Sequence, residues 1–166
     1  FIDDFTPIFQ QYYTQISKGQ EKVELVYRSQ LTEGDFNTLL TEGLAKDRGN
    51  HYSNVGIHKD DLIFNLAGLQ LKKFGSQGQQ KTYLISLKLA QFKHIESKNS
   101  SKPILLLDDI YDKLDEDRIS HLMNQICAGT YGQVFITDTN TKRLPAFFKK
   151  KKYECFSFEI DEGKIV

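Results

Sequence analysis

Apolar and polar positions along this chain change their spacing several times, and each change marks an element. Ile8, Phe9, Tyr12, Tyr13 and Ile16 recur at helical spacing across residues 1–18, and Gly19 stands where a helix would stop. Over residues 22–29, Val23, Leu25 and Tyr27 alternate with charge, which predicts a half-buried strand. Phe36, Leu39, Leu40 and Leu44 predict a second helix over 35–46, broken at Arg48-Gly49-Asn50. Residues 62–66 and 69–74 read as a hairpin turned at Ala67-Gly68. From Gly78 a long helix is expected, with Ile85, Leu89, Phe92 and Ile95 in one stripe that Leu84 and Leu87 widen, so that much of it is buried.

The pattern then shortens. Asn99-Ser100-Ser101-Lys102-Pro103 reads as a turn, and 104–107 as a short, continuously apolar strand of the kind a parallel sheet covers on both faces. Asp115 stands where it can cap a helix carrying Ile119, Leu122, Met123 and Ile126. Residues 133–137 predict another buried strand. Phe156, Phe158 and Ile160 alternate with Ser157 and Glu159 up to a turn at Asp161-Glu162-Gly163. Strand, helix, strand, helix, strand from Phe74 onward predicts an α/β fold.

Composition narrows the function classes only slightly. At 166 residues and 39% hydrophobic, the chain is long enough for one domain with its own core. Its 22 basic and 22 acidic residues balance, so bulk charge does not announce nucleic acid, although a locally basic face remains open. Cys127 and Cys155 are too few for a disulfide framework, fall in segments that read as buried or strand, and are expected as reduced thiols of a cytosolic protein. No apolar run approaches the roughly 20 residues that span a bilayer, and no secretory signal pattern is present. The chain opens on Phe1 rather than Met, which suggests part of a longer polypeptide.

Two segments carry candidate chemistry. Ser76 and Gln79 have the capping-box spacing, and Gly78 falls in the first helical turn, where a missing side chain leaves backbone N–H groups open to an anion that the helix dipole favours. Read alone, the same residues describe a well-capped helix. Asp108 and Asp109 end the most apolar strand, beyond which ligands of open parallel sheets bind. Successive strand residues point opposite ways, so one carboxylate is suited to Mg²⁺, directly or through water, and the other to polarising an attacking water. Two solvated aspartates are the bland alternative.

Ser76-Gln77-Gly78-Gln79-Gln80 resembles the signature loop of ABC-type ATPases, and Asp108-Asp109-x-x-x-x-Leu114-Asp115 resembles their Walker B strand and D-loop. The Gln-Gly-Gln-Gln variant, the double Asp and the preceding Gly56-Ile57-His58-Lys59-Asp60-Asp61 resemble the RecF family of recombination mediators, related to SMC heads, over most of the chain. The resemblance implies the C-terminal part of an ABC-type P-loop ATPase head, with residues 1–20 as the helical end of an arm re-entering the head and 21–166 as the head portion. It implies that Ser76, Gln77, Gly78 and Gln79 form a signature that binds, in trans, the ATP held by a second protomer, with Ser76 and Gly78 on its γ-phosphate. Asp108 then supports Mg²⁺, Asp109 is the general base or positions water, and Leu114 and Asp115 lie at the dimer seam. ATP-driven homodimerisation is implied on double-stranded DNA at single-strand gaps, with RecO and RecR as partners in loading RecA and supporting the SOS response.

Some residues depart from the family pattern. No Gly-x-x-x-x-Gly-Lys-Ser/Thr loop occurs, so these residues alone are expected neither to bind ATP tightly nor to hydrolyse it. Asp138 occupies the switch position after residues 133–137, where an acid facing a γ-phosphate would repel it unless it points away or acts through water. Ile57 and Lys59 stand where the family favours Pro and Arg. His58 reads as structural or solvated, and His51, His94 and His121 share no metal-ligand spacing with the cysteines. Lys149, Lys150, Lys151 and Lys152 read as a charged helix end or loop, with DNA phosphate as the sharper alternative. Another SMC-like ATPase, for example a defence-associated one, and a non-catalytic interaction module are the competing readings.

Overall fold

The computed structural model describes residues 1–19, 21–99, 101–128 and 131–166; the expected boundary at Gln20, and Ser100 within the expected turn, lie outside them. In chain order the elements are α1 (Ile2–Ser17), β1 (Val23–Arg28), α2 (Phe36–Asn50), β2 (Asp61–Leu66), β3 (Leu69–Gln70), the single turn α3 (Leu71–Phe74) and α4 (Gln77–Lys98). They continue with β4 (Leu105–Leu107), α5 (Glu116–Cys127), β5 (Val134–Ile136), α6 (Arg143–Lys151), β6 (Ile160–Asp161) and β7 (Lys164–Ile165). The fold is α/β, with helices flanking small sheets.

The core forms where α1 lies across α4, α5 and β1. Phe5, Phe9, Tyr12, Tyr13 and Ile16 of α1 meet Tyr83, Ile85, Leu89, Ala90 and Phe92 of α4 and Ile119, Leu122, Met123 and Ile126 of α5. Tyr83 sits at its centre, 4.6 Å from Phe9 and 5.9 Å from Tyr13 between ring centroids, with its hydroxyl donating to the Glu24 carbonyl. Burial raises the Tyr83 pKa, so the ring stays neutral. Antiparallel β1, β2 and β3 cover one side, Leu25 opposite Phe64 and Val23 opposite Leu66. Parallel β4 and β5 pair Leu105 with Val134 and Leu107 with Ile136 on another.

Several expectations need correction. The second hairpin strand stops at Gln70, and residues 71–74 coil into α3 because Leu71 turns inward to the core. A Cβ at Gly75 would come within 2.7 Å of the Leu71 carbonyl oxygen, so glycine alone permits this tight exit. Helix α2 runs through Gly49 and Asn50 and ends at left-handed His51; none of its residues is buried, since it stands off the core with Phe36 and Leu44 exposed. In α4 the inward stripe is Ile85, Leu89 and Phe92, while Leu84 and Ile95 face outward. Sheet β4–β5 is covered on one face, leaving Leu106 71% exposed. Phe156 and Phe158 do not form a strand: only residues 160–161 pair, with β7, and Phe156 is 93% exposed. Cys155 is therefore exposed rather than buried, and both cysteines are free. No described helix is long and apolar enough to cross a membrane.

Candidate functional site

Helix α4 begins as its sequence predicts. The Ser76 hydroxyl accepts from the Gln79 N–H at 3.2 Å, and the Gln79 side-chain oxygen accepts from the Ser76 N–H at 2.7 Å. The first helical amides, at Gln77 and Gly78, have no acceptor within the helix, and no acid lies in the first turn. Helix α5 is also capped, by Asp115, whose carboxylate accepts from the Arg118 N–H at 2.8 Å. There, however, Glu116 and Asp117 fill the first turn, so the α4 start is the one suited to an anion.

Gly78 has a second reason to be glycine. A Cβ there would lie 3.1 Å from the Lys113 carbonyl oxygen and 3.3 Å from Arg118 Nη1. The α4 start thus packs against the loop that leads from Asp109 to Asp115. In that loop the Leu114 side chain is buried in the core, and Asp115 is exposed beside it.

Residues that pattern reading did not single out tie these pieces together. Arg118 donates to Thr82 Oγ1 at 3.3 Å and pairs with Asp115 at 3.5 Å and Glu21 at 3.9 Å, its side chain 18% exposed. Glu21 accepts in turn from the Gln79 amide and, at 2.5 Å, from Tyr13. One arginine therefore fixes α4, α5 and the segment before β1 in register. The only sequence signal was its place three residues after the capping Asp115, on the same helical face. Arg118→Ala is expected to lower stability by about 1–2 kcal/mol, because it leaves Glu21 and Thr82 short of a partner. Chemical denaturation against the parent protein measures this.

Asp108 and Asp109 lie at the carboxyl end of β4, both exposed. The Thr137 hydroxyl, at the end of β5, donates to Asp108 and accepts from the Asp109 N–H at 3.2 Å. Asp109 has φ 45°, in the left-handed region, which turns its side chain away from the strand direction. Lys81 of α4 donates to its carbonyl oxygen at 3.2 Å. An exposed carboxylate braced by a hydroxyl suits Mg²⁺, which takes one or two protein carboxylates and fills its octahedron with phosphate oxygens and water. Asp108 is placed so that it could hold such an ion, and Asp109 lies on the other side of the turn.

The remaining candidates separate from this cluster. Asp138 turns to Arg143, 3.0 Å away, so its charge is matched within the chain. Lys149, Lys150 and Lys151 occupy the last turn of α6 and Lys152 caps it, all exposed and well placed against the helix dipole. His58 is exposed, with Nε2 3.0 Å from the Ser53 carbonyl oxygen, and its ring fills the space beside Gly56, which has φ 132°. Hydrogen bonds from Ser29 and Tyr27 hold the Asp60 carboxyl below the ordinary carboxylate range. Among the described residues no group of three or more acids, histidines or cysteines forms a metal cage.

No family model matches the chain. Its curated relatives include the DNA replication and repair protein RecF of Flavobacterium johnsoniae, 48% identical over 159 residues, covering 95% of this chain and 44% of the relative. The RecF of Porphyromonas gingivalis is 45% identical over 166 residues, covering 99% and 46%. Among solved structures, the recombination mediator protein RecF-ATPrS of the RecFOR pathway superposes with a TM-score of 0.71 at 22% identity, over 98% of this chain and 43% of that one, which supports the fold. The chain spans less than half the length of the curated relatives it matches. With nearly every residue aligned to a C-terminal part of these proteins, the chain belongs to the RecF family.

Proposed function

We propose that this chain supplies the signature and the Walker B carboxylates of a RecF-type ATPase that dimerises on DNA with ATP and serves replication and repair in the cytoplasm. The observation that carries the reading is the α4 start: a capping box with two amides lacking helical acceptors, packed through Gly78 on the loop that joins the two aspartates to Asp115. Such a surface favours an anion brought by another molecule. Ser76 and Gly78 contact the γ-phosphate of the partner's ATP, with Gln77 and Gln79 completing the signature around them. Asp108 would hold Mg²⁺, which would neutralise charge on the phosphates, and Asp109 would orient or deprotonate the attacking water. The chemistry converts ATP to ADP and phosphate.

These 166 residues contain no phosphate-cradling Gly-Lys-Ser/Thr loop. The reading therefore assigns the α- and β-phosphates to polypeptide beyond them, consistent with the 44–46% of each relative's length that the chain covers. Asp115, exposed at the α5 start, forms the seam between protomers, with Leu114 anchoring it from the core. Because Arg118 joins both helix starts, a phosphate seated at Gly78 is felt at the seam. Lys149 to Lys152 meet DNA phosphates without reading sequence, and RecR and RecO are the expected protein partners at gap junctions.

Light scattering of the complete gene product tests the reading. With ATP and a gapped duplex its mass is expected to double, and ADP is not expected to support this. A mass unchanged by ATP overturns it. DNA affinity is expected to fall with salt, and neutralising the four lysines to flatten that slope by up to about four phosphate contacts. An unchanged slope removes α6 from the DNA interface.

A further inference from the structure

Three carboxylates follow the carboxyl ends of β4 and β5 in sequence: Asp108 and Asp109 after β4, and Asp138 after β5. A triphosphate arriving there meets repulsion unless a cation is fixed nearby. The structure contains one. Asp138 directly follows Thr137, the residue that braces Asp108, and its side chain is 2% exposed. Its Oδ1 accepts from Arg143 Nη2 at 3.0 Å and from the Asn140 N–H at 3.2 Å, while Oδ2 is buried with no hydrogen-bond partner. The Arg143 guanidinium lies over the ring of Tyr111, two residues beyond Asp109, at 4.5 Å from its centroid. Burial, and then the Asp138 charge, push the Tyr111 hydroxyl up from its ordinary pKa.

The guanidinium is thus held from two sides, by a buried carboxylate and an aromatic face, yet remains 43% exposed. A fork of five N–H donors uses few of them on one carboxylate oxygen. Holding an arginine this firmly at an acidic strand end, with donors to spare, fits an anion bound beside Asp109.

We infer that Arg143 binds the terminal phosphate of the nucleoside triphosphate in its own protomer, with Asp138 and Tyr111 as the residues that position it. This rests on the ATPase reading above. Arg143 supplies the charge that the acid at the switch position withholds, and it distinguishes a triphosphate from a diphosphate.

Equilibrium binding of ATPγS and ADP to the complete gene product, with Mg²⁺, tests this. A charge-assisted phosphate contact predicts that Arg143→Gln weakens ATPγS by about 10- to 100-fold and leaves ADP within about twofold. Arg143→Lys is expected to recover part of the loss, since it keeps the charge without the fork. Asp138→Asn, which loosens the arginine, is expected to lower the ATPγS preference by a smaller factor. Lys142→Gln, the neighbouring cation, is expected to change neither affinity. Arg143 is on the surface, and circular dichroism melts of each variant verify folding. Unchanged ATPγS affinity in Arg143→Gln, or an equal loss for both nucleotides, overturns the inference while leaving the ATPase reading in place. A parent protein that binds neither nucleotide overturns that reading, and this inference with it.

Discussion

Asp109→Asn in the complete gene product is expected to lower ATP turnover by about 10²- to 10⁴-fold, the range for loss of a general base or water-positioning group. Dimers formed with ATP should persist and live longer. The substitution is clean for a physical reason. Asp109 has φ 45°, a region that asparagine enters at least as readily as aspartate, whereas alanine would add backbone strain. Its N–H donates to Thr137 and its carbonyl oxygen accepts from Lys81; both bonds use only the Asp109 main chain and survive the change. Phosphate release measured alongside light scattering separates the two effects. Turnover equal to that of the parent protein would remove Asp109 from the reaction.

Ser76→Arg is expected to abolish ATP-driven dimerisation while leaving nucleotide binding by the monomer intact. A long cation at the α4 start blocks close approach of the partner's phosphate. It also removes the cap, which contributes about 1 kcal/mol. Ser76→Asp isolates the phosphate effect, because aspartate caps as well as serine but opposes an incoming anion. Both variants should stay monomeric in ATP, and Ser76→Thr should dimerise. Normal dimers of Ser76→Asp would show that the α4 start does not meet a phosphate.

Both experiments act on features that were legible as local pattern. The capping box needs only Ser76 and Gln79 three positions apart, and the aspartate pair needs only a strand to end. The same holds for α1, α4 and α5, whose buried residues fall at the helical spacing seen in the chain. Pattern misled where burial was not local. The α2 helix forms as its spacing predicts, yet its residues meet no core. Phe156 and Phe158 alternate with polar residues, but among the described residues only 160–161 of that stretch pair as a strand. Leu106 sits in a continuously apolar run, yet one face of its sheet is open.

Short-range chemistry, acting within one turn or one strand, therefore determined the start of α4, the acids at the end of β4 and the family to which the chain belongs. Arg118, Thr137, Arg143 and Glu21 acquired their roles mainly from tertiary structure. Each meets partners more than a few residues away, such as Thr82 for Arg118, Asp108 for Thr137 and Tyr111 for Arg143. The spacing of residues in a sequence carries the periods of helices and strands. It does not carry which helix start is pressed against which loop, because that follows from how α1, α4 and α5 share one core.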